Sequence, residues 1–268
     1  MKLQQNHFRD ALRAGKPQIG LWIALADANV AEAIAGAGFD WLLFDAEHGP
    51  NDPRTVLEQL RAAAAYPVHC VVRPVQADPA LVKQYLDIGA QTVLIPMIDT
   101  REQAELMVQA MRYPPEGIRG MGPALARASR WNQIEDYVNL ANAQTCLLVQ
   151  AETPQAMRRL NEIANVAGVD GVFFGPVDLS ASMGLRGQPN HAEVQRAIID
   201  GIAIVRAAGK AAGVLSTDRE CAKRYLHAGA QFVAVGSDAT LLVQAARELV
   251  RTFKPEDGPT APQTTSAY

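Results

Sequence analysis

Eight short apolar runs recur along the chain, at about residues 19–24, 41–45, 68–72, 92–96, 145–150, 170–174, 211–215 and 231–235. Each is rich in Val, Leu, Ile or Phe and too short for a helix, so each predicts a strand. Between them apolar residues fall three and four apart, predicting helices over 28–36, 53–65, 78–88, 100–111, 153–164, 191–208, 217–228 and 238–252. Strands apolar at nearly every position are buried on both faces, as in a parallel sheet wrapped by helices. Eight β/α units in a chain of this length predict an α/β fold of the (β/α)8 TIM-barrel type.

A weak internal repeat agrees with this. IAGAGFDWLLFD, LDIGAQTVLIPM, ANVAGVDGVFFG and LHAGAQFVAVGS each run from a helix end through Gly and a short link into an apolar strand. Glycine there accepts the left-handed conformation that stops a helix. The N-terminal segment MKLQQNHFRDALRAGK predicts a short amphipathic helix built on Leu3, Phe8 and Leu12. Two segments fall outside the alternation. Residues 112–133 form a Gly-, Pro- and Arg-rich connection whose Arg119, Arg127 and Arg130 suit either an anionic ligand or a subunit contact. The tail over 254–268, rich in Pro and Thr, is expected to lie outside a single barrel domain spanning 1–253, mobile or packed on a neighbour.

Composition narrows the function classes. The 268 residues are 49% apolar and 20% charged, with a net charge of −3 and no long run of one sign, so neither nucleic-acid nor membrane binding is expected. No run approaches the ~20 apolar residues of a membrane span. Cys70, Cys146 and Cys221 are dispersed and odd in number, which fits a reducing cytoplasm.

The candidate chemistry lies where the predicted strands end, the functional face of this fold. Glu152 follows TCLLVQA and Asp178 follows GVFFGPV. Two such carboxylates are half of an octahedral site for a hard divalent cation. Each can instead cap a following helix; that alternative is stronger for Glu152, before TPQAM, than for Asp178, because PVDLSASMG reads as a loop. His48 follows Asp45 and Glu47 at the end of the second strand and is a candidate general base. Arg73 ends an apolar strand and needs an anionic partner, either a carboxylate such as Asp45 or a substrate oxyanion. The turn Gly175-Pro176-Val177-Asp178 offers the amides of Val177 and Asp178 to an anion. None of the six lysines falls at a strand end, so no Schiff-base nucleophile is in view. Dinucleotide, Walker, HExxH and GxSxG motifs are absent.

Taken as blocks, PQIGLW, AGFDWLLFDAEH, VVRP, LDIGAQTVLIPM, RYPPEGIRG, ALARASRW, LLVQAET, GVDGVFFGPVDLS and FVAVG resemble the HpcH/HpaI aldolase family from about residue 6 to 253. The resemblance implies a metal-dependent pyruvate aldolase with Mg²⁺, Mn²⁺ or Co²⁺ held by Glu152 and Asp178. Pyruvate would be held by Gln150 and the Val177–Asp178 backbone, with His48 as base and Arg73 steadying the enolate formed at the metal. It also assigns Asp87 as an acid that raises the basicity of the histidine across a subunit interface, in a hexamer of dimers that exchange their last helix. The implied reaction is reversible cleavage of a 4-hydroxy-2-oxo acid, such as 4-hydroxy-2-oxoheptanedioate, to pyruvate and an aldehyde such as succinic semialdehyde. Alternatives are cleavage of 2-keto-3-deoxy sugar acids (rhamnonate or glucarate type) and a non-catalytic barrel that binds oxo acids. Ala46, Val177, Pro123 and the VLSTD run depart from the family pattern, on the side where the aldehyde half would lie.

Overall fold

The computed structural model describes residues 1–254, so the rest of the tail lies outside the described residues. Eight parallel strands close into a barrel in chain order, with β8 pairing back onto β1. They are β1 (Gln18–Ile23), β2 (Trp41–Asp45), β3 (His69–Arg73), β4 (Thr92–Ile95), β5 (Cys146–Ala151), β6 (Gly171–Phe174), β7 (Ala211–Leu215) and β8 (Phe232–Ser237). Every strand expected from the apolar runs is present within a few residues. The glycines of the repeat behave as expected: Gly38, Gly89, Gly168 and Gly229 have φ of 95, 109, 106 and 103°.

The helices α1 (His7–Arg13), α2 (Ala28–Ala35), α3 (Pro53–Ala62), α4 (Pro79–Ile88) and α5 (Arg101–Ala110) follow in order. After them come α6 (Tyr137–Ala141), α7 (Pro154–Arg158), α8 (Leu160–Ala164), α9 (Pro176–Ser182), α10 (Ala192–Ala207), α11 (Arg219–His227) and α12 (Asp238–Phe253). Aspartates cap several of them: Asp52, Asp78 and Asp218 accept from first-turn amides, satisfying donors that have no intrahelical partner. Three local expectations change. The helix expected over 153–164 breaks at Arg159 into α7 and α8. The N-terminal helix begins only at His7, because Asn6 caps it by accepting from Arg9 N; Leu3 therefore precedes it and packs beside Tyr113, Ile134 and Tyr137. The segment expected as a loop around Asp178 is the helix α9, opened by Pro176, whose fixed φ suits a first turn, and anchored by buried Leu179 and Ser180.

Period-two alternation divides each strand between two cores. Outward residues such as Leu42, Phe44 and Val72 pack under the helices. Inward residues fill the barrel: Phe8 and Leu12 of α1, then Trp41, Phe232, Trp22 and Phe173, with Leu43, Val71, Leu94 and Leu148. Large and small residues interlock there. A Cβ on Gly20 would lie 2.2 Å from the Trp41 ring, and one on Gly213 2.3 Å from the Phe232 ring, so both rings need glycine opposite them.

The same parity positions the chemistry. The inward series Trp41, Leu43 ends at Asp45; Val71 is followed by Arg73; Cys146 and Leu148 are followed by Gln150 and, one step past the strand, Glu152. The polar residue closing each inward series stands at the carboxyl end of its strand, above an aromatic floor.

Candidate active site

Arg73 is the hub of this mouth. It is 4% exposed and makes a two-pronged bond to Asp45, Nε to Oδ1 at 2.9 Å and Nη2 to Oδ2 at 2.7 Å. Its Nη1 lies 2.8 Å from Glu47 Oε2 and donates to Gln150 Oε1 at 3.4 Å. Underneath, its Cζ sits 5.3 Å from the centre of the Trp22 ring. The carboxylate partner expected from the sequence is thus real, yet the guanidinium also faces the cleft lined by Trp22, His48, Gln150, Phe173, Val177, Asp178 and Leu215. Two anions and a ring hold the fork rigid, which is what a donor aimed at developing charge requires.

Glu152 is 2% exposed. Its Oε1 accepts from Met97 N at 3.0 Å and its Oε2 from Gln150 Nε2. Ser182 Oγ of α9 donates to its backbone carbonyl at 3.1 Å. The helix-capping alternative is taken by its neighbour: Thr153 caps α7 by accepting from Ala156 N. Burial, then the nearby Asp178 carboxylate, raises the Glu152 carboxyl to about 7. Asp178 sits in the first turn of α9, where the amides of Val177 and Asp178 have no acceptor one turn back. Burial also raises the Glu47 carboxyl, against the opposing pull of Arg73 and His48.

Asp45 and Glu47 thus contact one guanidinium, with the Glu152 and Asp178 carboxylates close by, a local excess of negative charge. Gly175 leaves space between donors: a Cβ there would lie 2.3 Å from Glu152 Oε2 and 2.9 Å from Gln150 Nε2. Among the described residues no group of three or more His, Cys, Asp or Glu side chains forms a ready-made cage. Two hard oxygen donors with room beside them fit a divalent cation that completes its shell with water and substrate oxygens.

His48 is about half exposed at the rim, with Nε2 3.9 Å from Glu47 Oε2. Asp87 is elsewhere. It lies in the last turn of α4, five residues before β4 begins, at the amino end of the barrel. There it accepts from Arg119 Nη2 at 2.7 Å, so a single chain does not bring it to His48. The sequence reading missed Trp22, Phe173 and Leu215 as lining residues; their place at the inward strand ends was the available signal. It also missed the Met97 amide, held by a left-handed φ of 54°, for which no residue type gives a signal.

A closed parallel barrel with anions, a fixed guanidinium, a carboxamide and an imidazole at its strand ends defines an enzyme that works on a small oxygen-rich substrate. The chain belongs to the HpcH/HpaI aldolase/citrate lyase family, whose sequence model matches residues 18–245. It is a carbon–carbon lyase of the aldolase kind. It is 57% identical over 267 residues to a hydroxypyruvate/pyruvate aldolase of Pseudomonas aeruginosa, covering 100% of this chain and 99% of that protein. It is 58% identical over 249 residues to a 4-hydroxy-2-oxo-heptane-1,7-dioate aldolase of Salmonella typhimurium strain LT2, covering 93% and 95%. Among solved structures, an HpcH/HpaI aldolase/citrate lyase family protein from Burkholderia cenocepacia J2315 superposes with a TM-score of 0.90 at 38% identity, over 93% of this chain and 100% of that one.

Proposed function

We propose that the protein cleaves a 4-hydroxy-2-oxo acid reversibly to pyruvate and an aldehyde, using a divalent cation held by Glu152 and Asp178. The observation that carries this reading is the pairing of the buried Glu152 carboxylate with Asp178 beside the Arg73 hub, two neighbouring anions with no guanidinium among the described residues bonded to either. When bound, the cation supplies Lewis-acid polarisation of the substrate keto oxygen.

The chain's own groups do the rest. His48 takes the proton of the C4 hydroxyl; the C3–C4 bond breaks, its electron pair moves onto the pyruvate half, and the aldehyde leaves. A proton returned to C3 then completes pyruvate. Arg73, held still by Asp45 and Glu47, aims its donors where the oxyanion charge grows. Gln150 and the amides of Val177 and Asp178 orient the carboxylate, while Trp22, Phe173 and Leu215 keep water off the reacting carbons. No residue becomes covalently attached, in keeping with the absence of a lysine from the cleft lining.

Asp87 enters this scheme only from a neighbouring subunit, and the bare face of α12 is what favours such an assembly. The helix α12 leaves Leu242, Leu249, Val250 and Phe253 exposed, at 60, 62, 57 and 77%, and buries only Asp238. An apolar face of that extent suits exchange between subunits of a hexamer. Three free thiols fit a reducing cytoplasm, and no described helix is long and apolar enough to cross a membrane.

The aldehyde is set by Val177, Ser216 and the residues around Leu215. Succinic semialdehyde, lactaldehyde and tartronate semialdehyde, offered with pyruvate, separate the heptanedioate reading from the sugar-acid one. A second reading concerns the nucleophile: near-equal identity to a hydroxypyruvate/pyruvate aldolase favours testing hydroxypyruvate beside pyruvate. Exchange of pyruvate methyl protons in D₂O with Mg²⁺ or Mn²⁺ tests the core claim. Measurable exchange is expected; its complete absence would reduce the barrel to a binder.

A further inference from the structure

The 112–133 segment, with its three arginines, plays no part in the mouth. In the fold it closes a cavity of about 260 Å³ between the N-terminal residues, the end of α4 and α6. Ala90 and Gln91, which precede β4, and Thr145, which precedes β5, also line it, so it opens toward the amino end of the barrel. Four lining residues are cations, Lys2, Arg119, Arg127 and Arg130, and none is Asp or Glu.

The charges are unevenly answered. Arg119 is 2% exposed; its Nη2 reaches Asp87 and its Cζ lies 4.3 Å from the centre of the Tyr113 ring, but its buried Nε has no hydrogen-bond acceptor. Arg127 donates Nη1 to Ile88 O at 2.8 Å, capping α4, which engages one of its nitrogens. Burial, then the charges of Arg130 and Arg61, lowers the Arg127 guanidinium to about 10. Like charges are thus gathered in a half-enclosed space with no acid in its lining, and Asp87, behind Arg119, answers only one of them. Apolar faces at Leu86 and Ile134 and the carboxamides of Gln91 and Gln144 complete the lining.

We propose that this cavity is a second binding site, for a small oxyanion bearing two or more charges, either inorganic phosphate or a di- or tricarboxylate. Guanidinium forks match both kinds of oxyanion, and the volume admits a small ion rather than a nucleotide. The site touches the proposed reaction only through the Arg119–Asp87 pair, and the melt in EDTA reads binding without turnover, so either proposal can fail alone.

The test is thermal melting of the full-length protein in EDTA at constant ionic strength, titrating inorganic phosphate or citrate against sodium chloride. A saturable rise in Tm is expected with phosphate, with citrate, or with both, and the arm that responds identifies the source. Arg119→Gln risks the fold through Asp87, so the working variant is the double substitution Lys2→Gln, Arg130→Gln, expected to raise the half-saturating concentration at least about tenfold. Crystals soaked in tungstate should give an anomalous peak among Arg119, Arg127 and Arg130. A Tm shift no larger than that of chloride overturns the proposal, as when a neighbouring copy's acids already fill the cavity. An unchanged response in the double variant, or a peak only at lattice contacts (an adventitious ion only), overturns it equally.

Discussion

The two ends of this barrel are built on opposite rules. At the amino end α1 plugs the opening with Phe8, which stacks on His69 at 5.2 Å and meets Trp41 and Phe232 at 5.8 and 6.1 Å. Most polar groups of the plug are paired, Arg9 Nε excepted: Asn6 Nδ2 donates to Thr92 Oγ1 and Gln144 O, His69 Nε2 pairs with Thr92 Oγ1 at 2.7 Å, and Gln231 closes on Leu12 O. At the carboxyl end carboxylates crowd one another, Glu152 is buried beside Asp178, and Met97 sits in a left-handed conformation. The plug is close-packed and largely paired, and the mouth is not. Groups poised for a cation or substrate oppose one another until something binds, so substitutions at the mouth should cost activity and those at the plug should cost folding.

The sharpest way to break that contrast is Glu152→Gln. We expect a loss on the order of 10³-fold or more in kcat/KM with Mg²⁺ or Mn²⁺, with Tm unchanged or raised because a buried charge is removed. Activity near wild type, or a large fall in Tm, would assign Glu152 to the scaffold. Next, His48→Ala is expected to lower kcat about 10²- to 10⁴-fold while calorimetric pyruvate affinity changes only a few-fold. Equal losses in both would make His48 a positioning group.

At the plug the sign reverses. Phe8→Ala should destabilise the protein by about 3–5 kcal/mol in urea unfolding, while the protein that remains folded keeps its kcat. A kcat that collapses with stability intact would show the two ends to be coupled. A more gradual effect is one of pH. Burial lowers the His69 imidazole to about 3, so the native ring stays neutral while the unfolded one takes a proton below about 6.5. Stability therefore falls as pH drops through 6.5 toward 3, by up to about tenfold in the folding equilibrium per pH unit from this residue. His69→Gln should flatten that slope, and identical wild-type and variant midpoints between pH 6.5 and 4 would contradict it.

Much of this was readable from order and residue type alone. The strand runs located all eight strands, and the acids, His48 and Arg73 were legible because polar residues closing apolar strands are conspicuous. The helix around Asp178 was not, since its seven residues owe their fold to the burial of Leu179 and Ser180. Nor was the whole hub at Arg73: Asp45, 28 residues away, was among its expected partners, but Glu47 and Gln150, the latter 77 residues away, were not. The helices α10 and α12 make the limit plain. Both are amphipathic and 16 residues long, yet α10 buries Val194, Ile198, Ile202 and Val205 while α12 leaves its apolar residues bare.

The sequence by itself determined the eight strands, most of the helices and their order, because burial repeats with the local period of the backbone. Only the tertiary structure decided which strand ends meet, why Arg73 is locked by two carboxylates, and that Asp87 lies at the amino end of its own barrel. Those facts depend on barrel closure, which brings distant residues together at a geometry that no local period encodes.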